Sequence, residues 1–266
     1  MAHPFPYRYT YQPMDERKRR ANSVLKTAES VTCGHPDKVC DQISDGILDA
    51  VLRKDPTAHV ACEVMATKGS VIIAGEITAK MCDKEIEETA VDCFVDTMTN
   101  IGYNPSEYIV TVCIHSQSPD INQAVKKEEQ GAGDQGIMYG YACNETNELL
   151  PLPVVLANRL TKQLREVRES KATPYILPDG KSQVTVEYDD ENKAVRIANI
   201  VISTQHTDGV SQELIDHNIT QKVILPVLRP FNNLLKDTDI LINPSGRFVH
   251  GGPVADTGLT GRKLMV

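Results

Sequence analysis

Between residues 35 and 54 the apolar positions Val39, Ile43, Ile47, Leu48, Val51 and Leu52 recur at helical spacing, which predicts an amphipathic helix. Pro36 suits its first turn, Asp37 and Asp41 sit at its positive end, and Arg53 and Lys54 at its negative end. Asp55-Pro56 stops it. Two extended runs follow, 58–66 and 71–78, joined by Thr67-Lys68-Gly69-Ser70, and read as a hairpin. A second helix is predicted over 83–101, with Ile86, Ala90, Cys93, Phe94 and Met98 on one face, then a strand over 108–114.

From 117 to 136 the periodicity disappears, and the stretch holds Gly131, Gly133 and Gly136. A long polar loop inside a compact chain reads as a functional lid or a linker. After it the grammar resumes. A short strand is expected over 137–142, a helix over 153–169, and a Pro/Gly-rich loop over 173–181. Strands over 183–188 and 195–204, a helix over 211–225 and a strand over 239–242 complete the pattern. Both halves order helices and hairpins similarly, without a residue-level repeat. The fold class expected is α+β, with helices covering one face of mostly antiparallel sheets.

At 266 residues the chain is long for one domain and comfortable for two. The net charge of −8 and the absence of Trp argue against a nucleic-acid or anionic-membrane partner. Seven Cys, an odd number without a C-x-x-C pair, read as reduced intracellular thiols. No apolar run approaches a membrane span, and the start lacks an apolar signal core. A cytoplasmic location is therefore expected. The basic, Pro-containing stretch 1–24 reads as a flexible tail.

Five constellations carry candidate chemistry. Gly34-His35-Pro36-Asp37-Lys38 opens the first helix, where free N–H groups favour an anion. His35 could donate to a leaving oxygen and Asp37 could hold Mg²⁺; a capping segment with an incidental His is the plainer alternative. Glu63 and Glu76 are acids inside apolar strands, either a shared site or a solvated face. Residues 131–136, Gly-Ala-Gly-Asp-Gln-Gly, match neither a P-loop nor a dinucleotide fingerprint, and serve as a lid hinge or a plain turn. Pro178-Asp179-Gly180-Lys181 carries a turn signature. Residues 251–263 pack four Gly, Asp256 and the pair Arg262-Lys263 into a candidate polyphosphate cradle.

These segments, with Glu29-Ser30-Val31, Asp41-Gln42-Ile43-Ser44-Asp45, Gln117-Ser118-Pro119-Asp120-Ile121 and Lys181-Ser182-Gln183-Val184, resemble the S-adenosylmethionine synthetase family in collinear order from about Ala28 onward. The resemblance implies that methionine sulfur attacks C5′ of ATP, expelling tripolyphosphate that is then cleaved to phosphate and pyrophosphate. Mg²⁺ and K⁺ are the implied cofactors. By the same likeness His35, Lys181 and Asp134 are catalytic positions, and His35, Asp179, Lys181, Arg247, Phe248, Asp256, Arg262 and Lys263 bind ATP. Glu76, Gln117 and Asp256 match methionine positions, Asp37 a Mg²⁺ ligand and Glu63 the K⁺ ligand. Residues 117–129 match a gating loop.

The resemblance further implies related subdomains about a pseudo-threefold axis, and a homodimer or higher homo-oligomer. The expected division is an N-terminal domain over 25–122, a central domain over 123–250 and, over 251–266, the start of a third domain that family chains continue into. On this likeness the chain alone is expected to be incomplete for catalysis. The alternatives are a non-catalytic or regulatory subunit pairing with a full-length synthetase, and a partial tripolyphosphatase. Cys33, Ala255 and His250 depart from the family's usual acidic, Gly and aliphatic residues.

Overall fold

The computed structural model describes residues 23–116 and 136–264. In chain order the elements are β1 (Val24–Val31), α1 (Pro36–Lys54), β2 (His59–Thr67), β3 (Ser70–Thr78), α2 (Asp83–Ile101), β4 (Ile109–His115), α3 (Leu152–Glu169), β5 (Ile176–Tyr188), β6 (Ala194–His206), α4 (Gln212–Ile219), α5 (Leu225–Leu228), β7 (Asp239–Ile242) and β8 (Gly258–Leu259). They divide into two compact units. Among the described residues the first holds 23–35, 142–252 and 263–264; the second holds 36–116, 136–141 and 253–262.

In the first unit a four-stranded sheet runs β1-β5-β6-β7. β1 and β6 pair antiparallel with β5, and β7 joins β6 in parallel. Apolar residues of α3, among them Leu156, Leu160 and Leu164, share one core with Val184, Val186, Ile200 and Ile202 of the strands. The strands also carry polar pairs. Thr27 and Thr185 hydroxyls lie 3.0 Å apart, and buried Glu187 takes two 2.8 Å contacts from Arg196. A π-helical segment, Thr220–Ile224, separates α4 from α5. Pro226, in the first turn of α5, lacks an N–H and crowds the preceding turn, and a wider hydrogen-bond step accommodates it.

In the second unit the order is β4-β3-β2-β8. β8 and β3 pair antiparallel with β2, and β4 joins β3 in parallel. This is the same succession of pair types as in the first unit. Helix–hairpin–helix–parallel strand occurs twice, and each sheet takes its outermost antiparallel strand from a distant part of the chain. Val39, Ile43, Ile47 and Val51 of α1 are fully buried, with Val64, Ala66, Val71, Ile73, Phe94 and Met98 buried in the same unit. Phe94 meets Tyr108 edge to face at 6.3 Å. α2 ends where Gly102, at φ 102°, returns its N–H to the Met98 carbonyl.

Two expectations are corrected. Residues 137–142 are not a strand: Ile137, Met138 and Tyr139 are each at least 81% exposed. Their composition favours a strand, but this segment pairs with no described strand, and a strand forms only against a partner. The stretch 173–181 is not a loop throughout: Pro178-Asp179-Gly180-Lys181 lies inside β5. The β5–β6 register shifts between Ile176 and Gly180, so Pro178 stands where the ladder needs no N–H from it.

Asp55 ties the end of α1 to the far side of the hairpin. Its carboxylate accepts from the Thr57 amide and hydroxyl and from the Lys80 amide, at 2.6–3.0 Å. The Thr57 hydroxyl, followed by the two amides, lowers its pKa to about 2 from 3.8. A depressed carboxylate stabilises the fold above the unfolded-state pKa and loses that contribution as pH falls towards the folded-state value. Asp55→Asn should therefore lower the thermal midpoint at pH 7, with the difference shrinking between about pH 4 and pH 2. Circular-dichroism melts across that window test this; a difference undiminished at pH 2 would assign the effect to geometry instead of charge.

Candidate functional site

In the first unit β1 runs out into Thr32-Cys33-Gly34-His35, and this turn is pinned to β5. Thr32 donates its N–H to the Gly180 carbonyl at 2.9 Å and its hydroxyl to the Pro178 carbonyl at 2.7 Å. His35 donates its amide to the Thr32 carbonyl at 3.2 Å. A Cβ at Gly34 would lie 2.4 Å from the Pro178 backbone, so only glycine permits this approach. Half-buried His35 is thereby fixed beside the strand that carries Asp179 and Lys181.

Asp179 is buried, and its Oδ2 accepts from the Gly252 amide at 2.8 Å. Lys181 Nζ lies 2.7 Å from Glu29 Oε2. Sequence reasoning did not single out Glu29 as a site residue. The register brings it there, with Val31 opposite Lys181 and Glu29 opposite Gln183, and that register was not legible beforehand. Cys33, in the place of the family's acid, lies 3.8 Å from an Arg168 nitrogen.

Arg247 is exposed and Phe248 half-buried. Arg247 pairs with Asp208 at 3.1 Å and holds its carboxyl below the ordinary range, aided by the Gly209 amide. The pair borders a cleft of about 490 Å³ that also presents His206, Gln212, Asp216 and Asn243. Burial pushes the Asp216 carboxyl upward there. Of the sequence-selected residues, this unit thus gathers His35, Asp179 and Lys181 along one end of β5 and ties the Arg247–Phe248 stretch to it.

In the second unit α1 begins beneath the loop that contains β8. Asp37 is fully buried, and its Oδ1 accepts from the Leu259 amide and from Arg262 Nε, both at 3.0 Å. Arg262 also donates to the Thr257 carbonyl, and Asp41 accepts from the Gly261 amide at 2.8 Å. A Cβ at Gly258 would lie 2.1 Å from the Pro36 carbonyl oxygen. Burial, reinforced by the charge of Asp37, pushes the neighbouring Cys40 thiol up to about 12, leaving it inert.

Glu63 and Glu76 are exposed on the sheet face opposite the buried residues of β2 and β3. Glu63 stands opposite Ala74 and Glu76 opposite Ala61, so the two acids are diagonal neighbours. Asp256 is exposed and accepts from the Thr257 amide at 2.9 Å. Lys263 is half-buried, and Ala255 and His250 are exposed. Gln117, Asp134 and the expected gating loop 117–129 lie outside the described residues.

Among the described residues no three His, Cys, Asp or Glu side chains are grouped to hold a metal ion by themselves. Mg²⁺ in nucleotide sites takes one or two carboxylates and completes its shell with phosphate oxygens and water. The hard carboxylate of Asp37, next to the cation Arg262, fits that sharing of a phosphate-bound ion and not an all-protein cage. Glu63 offers an exposed carboxylate, a donor suited to a weakly held monovalent cation. No helix among the described residues is long and apolar enough to cross a membrane.

Residues 23–127 match the family model for the S-adenosylmethionine synthetase N-terminal domain, and residues 129–248 match that for its central domain. The chain is 46% identical to the S-adenosylmethionine synthase of Bifidobacterium adolescentis over 269 residues, 92% of this chain and 66% of that protein. It is also 46% identical to the S-adenosylmethionine synthase of Petrotoga mobilis, over 91% of this chain and 65% of that protein. The chain thus spans about two thirds of the length of these relatives. With both domain models matched in order on an α+β fold whose two units repeat one topology, the chain belongs to the S-adenosylmethionine synthetase family.

Proposed function

We propose that this chain forms S-adenosylmethionine from ATP and L-methionine, releasing phosphate and pyrophosphate, as a cytoplasmic homodimer or higher homo-oligomer. The observation that carries this reading is the fastening of the His35 turn, Asp179 and Lys181 along one end of β5. Family likeness assigns all three residues to ATP.

A methionine thioether is uncharged and already nucleophilic, so the site needs no general base. The barrier lies in the charge that grows on the departing O5′ and its phosphates, which calls for donors fixed in advance. His35 donates to the leaving oxygen. By family likeness Lys181, which Glu29 orients, Arg262, which Asp37 orients, Lys263 and Asp134 are assigned to the phosphates. Arg247, Phe248 and Asp179 hold the nucleoside, while Glu76, Gln117 and Asp256 hold methionine. Asp37 would hold Mg²⁺ and Glu63 K⁺; when bound, the magnesium neutralises phosphate charge.

The test is an assay with ATP, L-methionine, Mg²⁺ and K⁺, read by mass spectrometry, on the chain alone and mixed with a full-length synthetase. S-adenosylmethionine with phosphate and pyrophosphate in either arm, above the full-length synthetase's own output, supports the reading. No product in either arm overturns it. Release of phosphate from tripolyphosphate without S-adenosylmethionine would instead mark a partial tripolyphosphatase. In an active preparation Glu63→Val should abolish stimulation by KCl; normal stimulation would place the cation elsewhere.

A further inference from the structure

The stretch that carries Arg247 and Phe248 has no regular secondary structure, so something other than a ladder must hold it. Four hydrogen bonds fasten residues 248–252 to the ends of β5 and β6. His206 donates its amide to the Phe248 carbonyl at 2.9 Å, and Phe248 donates its amide to His206 Nε2 at 3.1 Å. Gln205 Nε2 donates to the Val249 carbonyl at 3.0 Å, and Gly252 donates to Asp179 at 2.8 Å.

The imidazole works in both directions. Because Nε2 accepts from an amide, the ring proton resides on Nδ1, which lies 2.9 Å from the Thr207 carbonyl and donates to it. The residue is 3% exposed. Its ring is therefore locked between its own strand and the Phe248 backbone. Gly251 completes the seat: a Cβ there would lie 2.6 Å from the Gln205 side chain.

We infer that His206 is a positioning residue for nucleotide binding, acting through its Nε2 acceptor on the Phe248 amide. The inference rests on the reading that Arg247 and Phe248 contact ATP. Fixing one peptide group sets where the Phe248 ring and the Arg247 guanidinium project. Without the acceptor the Phe248 amide loses its partner in a partly buried place, and the segment shifts to find another.

Three variants separate positioning from bulk stability. His206→Phe fills the ring volume without an acceptor. His206→Asn puts its amide oxygen near the place of Nδ1, away from Phe248. His206→Gln carries an oxygen near the place of Nε2. ATP affinity is measured by calorimetry, stability by thermal midpoint, and the Phe248 tie by amide hydrogen exchange over residues 245–252. The expected result is roughly a tenfold loss of ATP affinity, about 1.4 kcal/mol, with lost protection at Phe248 in His206→Phe and His206→Asn. His206→Gln should restore both to within a fewfold. If His206→Phe does not fold, His206→Asn against His206→Gln carries the same comparison.

Unchanged affinity in the acceptor-free variants, with wild-type chain that binds ATP, overturns the inference. So does an affinity loss that His206→Gln shares in proportion to its drop in midpoint. If wild-type chain binds no ATP, the functional reading fails separately, and the tie is judged on exchange alone. Protection lost in His206→Asn and kept in His206→Gln then upholds the tie, and equal protection overturns it.

Discussion

Gly258→Ala is expected to destabilise the chain by about 3–5 kcal/mol and to lower its thermal midpoint by on the order of 10 °C. The added Cβ would sit 2.1 Å from the Pro36 carbonyl oxygen and 2.9 Å from the Asp37 amide, both backbone atoms. No rotamer change relieves such a contact, so β8 must move off the start of α1. That movement takes the Leu259 amide and the Arg262 guanidinium away from Asp37 Oδ1. A fully buried carboxylate then loses two of its donors, including its cation, which is among the costlier single events in a protein interior. Gly209→Ala is the control: Gly209 has φ +78° with nothing within 4 Å of the new Cβ, so it bears only the backbone penalty of about 1–2 kcal/mol. Equal midpoints for the two variants would refute the tight seat of Gly258. On the proposed function, Gly258→Ala should also weaken tripolyphosphate binding, since it releases the Arg262 side chain.

What the sequence disclosed follows the range of the forces involved. α1, α2 and the β2–β3 hairpin are set by local periodicity and by turn chemistry within a few residues, and their spans were legible. Pro178-Asp179-Gly180-Lys181 was misread because turn residues look alike in a turn and at a strand irregularity. The deciding facts, a break in the β5–β6 ladder and the approach of Thr32 to the Pro178 and Gly180 carbonyls, come from distant residues. The same holds for β1 beside β5 and β8 beside β2, pairings that no local pattern announces. Of the proposed site, the residues were named by resemblance alone. The partners that orient them were not: Glu29 for Lys181, Asp37 for Arg262, and Gln205 with His206 for the Phe248 stretch. Each is a polar group whose role depends on register or on a loop's path. The segment 137–142 failed for the converse reason: Ile, Met and Tyr favour a strand, but propensity supplies no partner.

On the proposed function, His35→Asn is expected to lower kcat by about 10²–10³-fold, or roughly 3 kcal/mol of transition-state stabilisation, while ATP affinity changes by only a fewfold. The turn is held by the His35 amide on the Thr32 carbonyl, by the Thr32 hydroxyl on the Pro178 carbonyl and by the close seat of Gly34. Asparagine retains that backbone and a smaller polar group, so ground-state binding through Lys181, Asp179 and Arg247 should persist. What changes is the donor offered where negative charge grows as the C5′–O5′ bond breaks. A preorganised donor in this role stabilises the transition state more than bound ATP, so its loss falls on kcat and not on binding. Product formation by mass spectrometry, in whichever preparation wild-type chain is active, gives kcat, and calorimetry gives the affinity. A drop confined to affinity would make His35 a binding group only. Equal turnover in both proteins would remove it from the chemistry altogether.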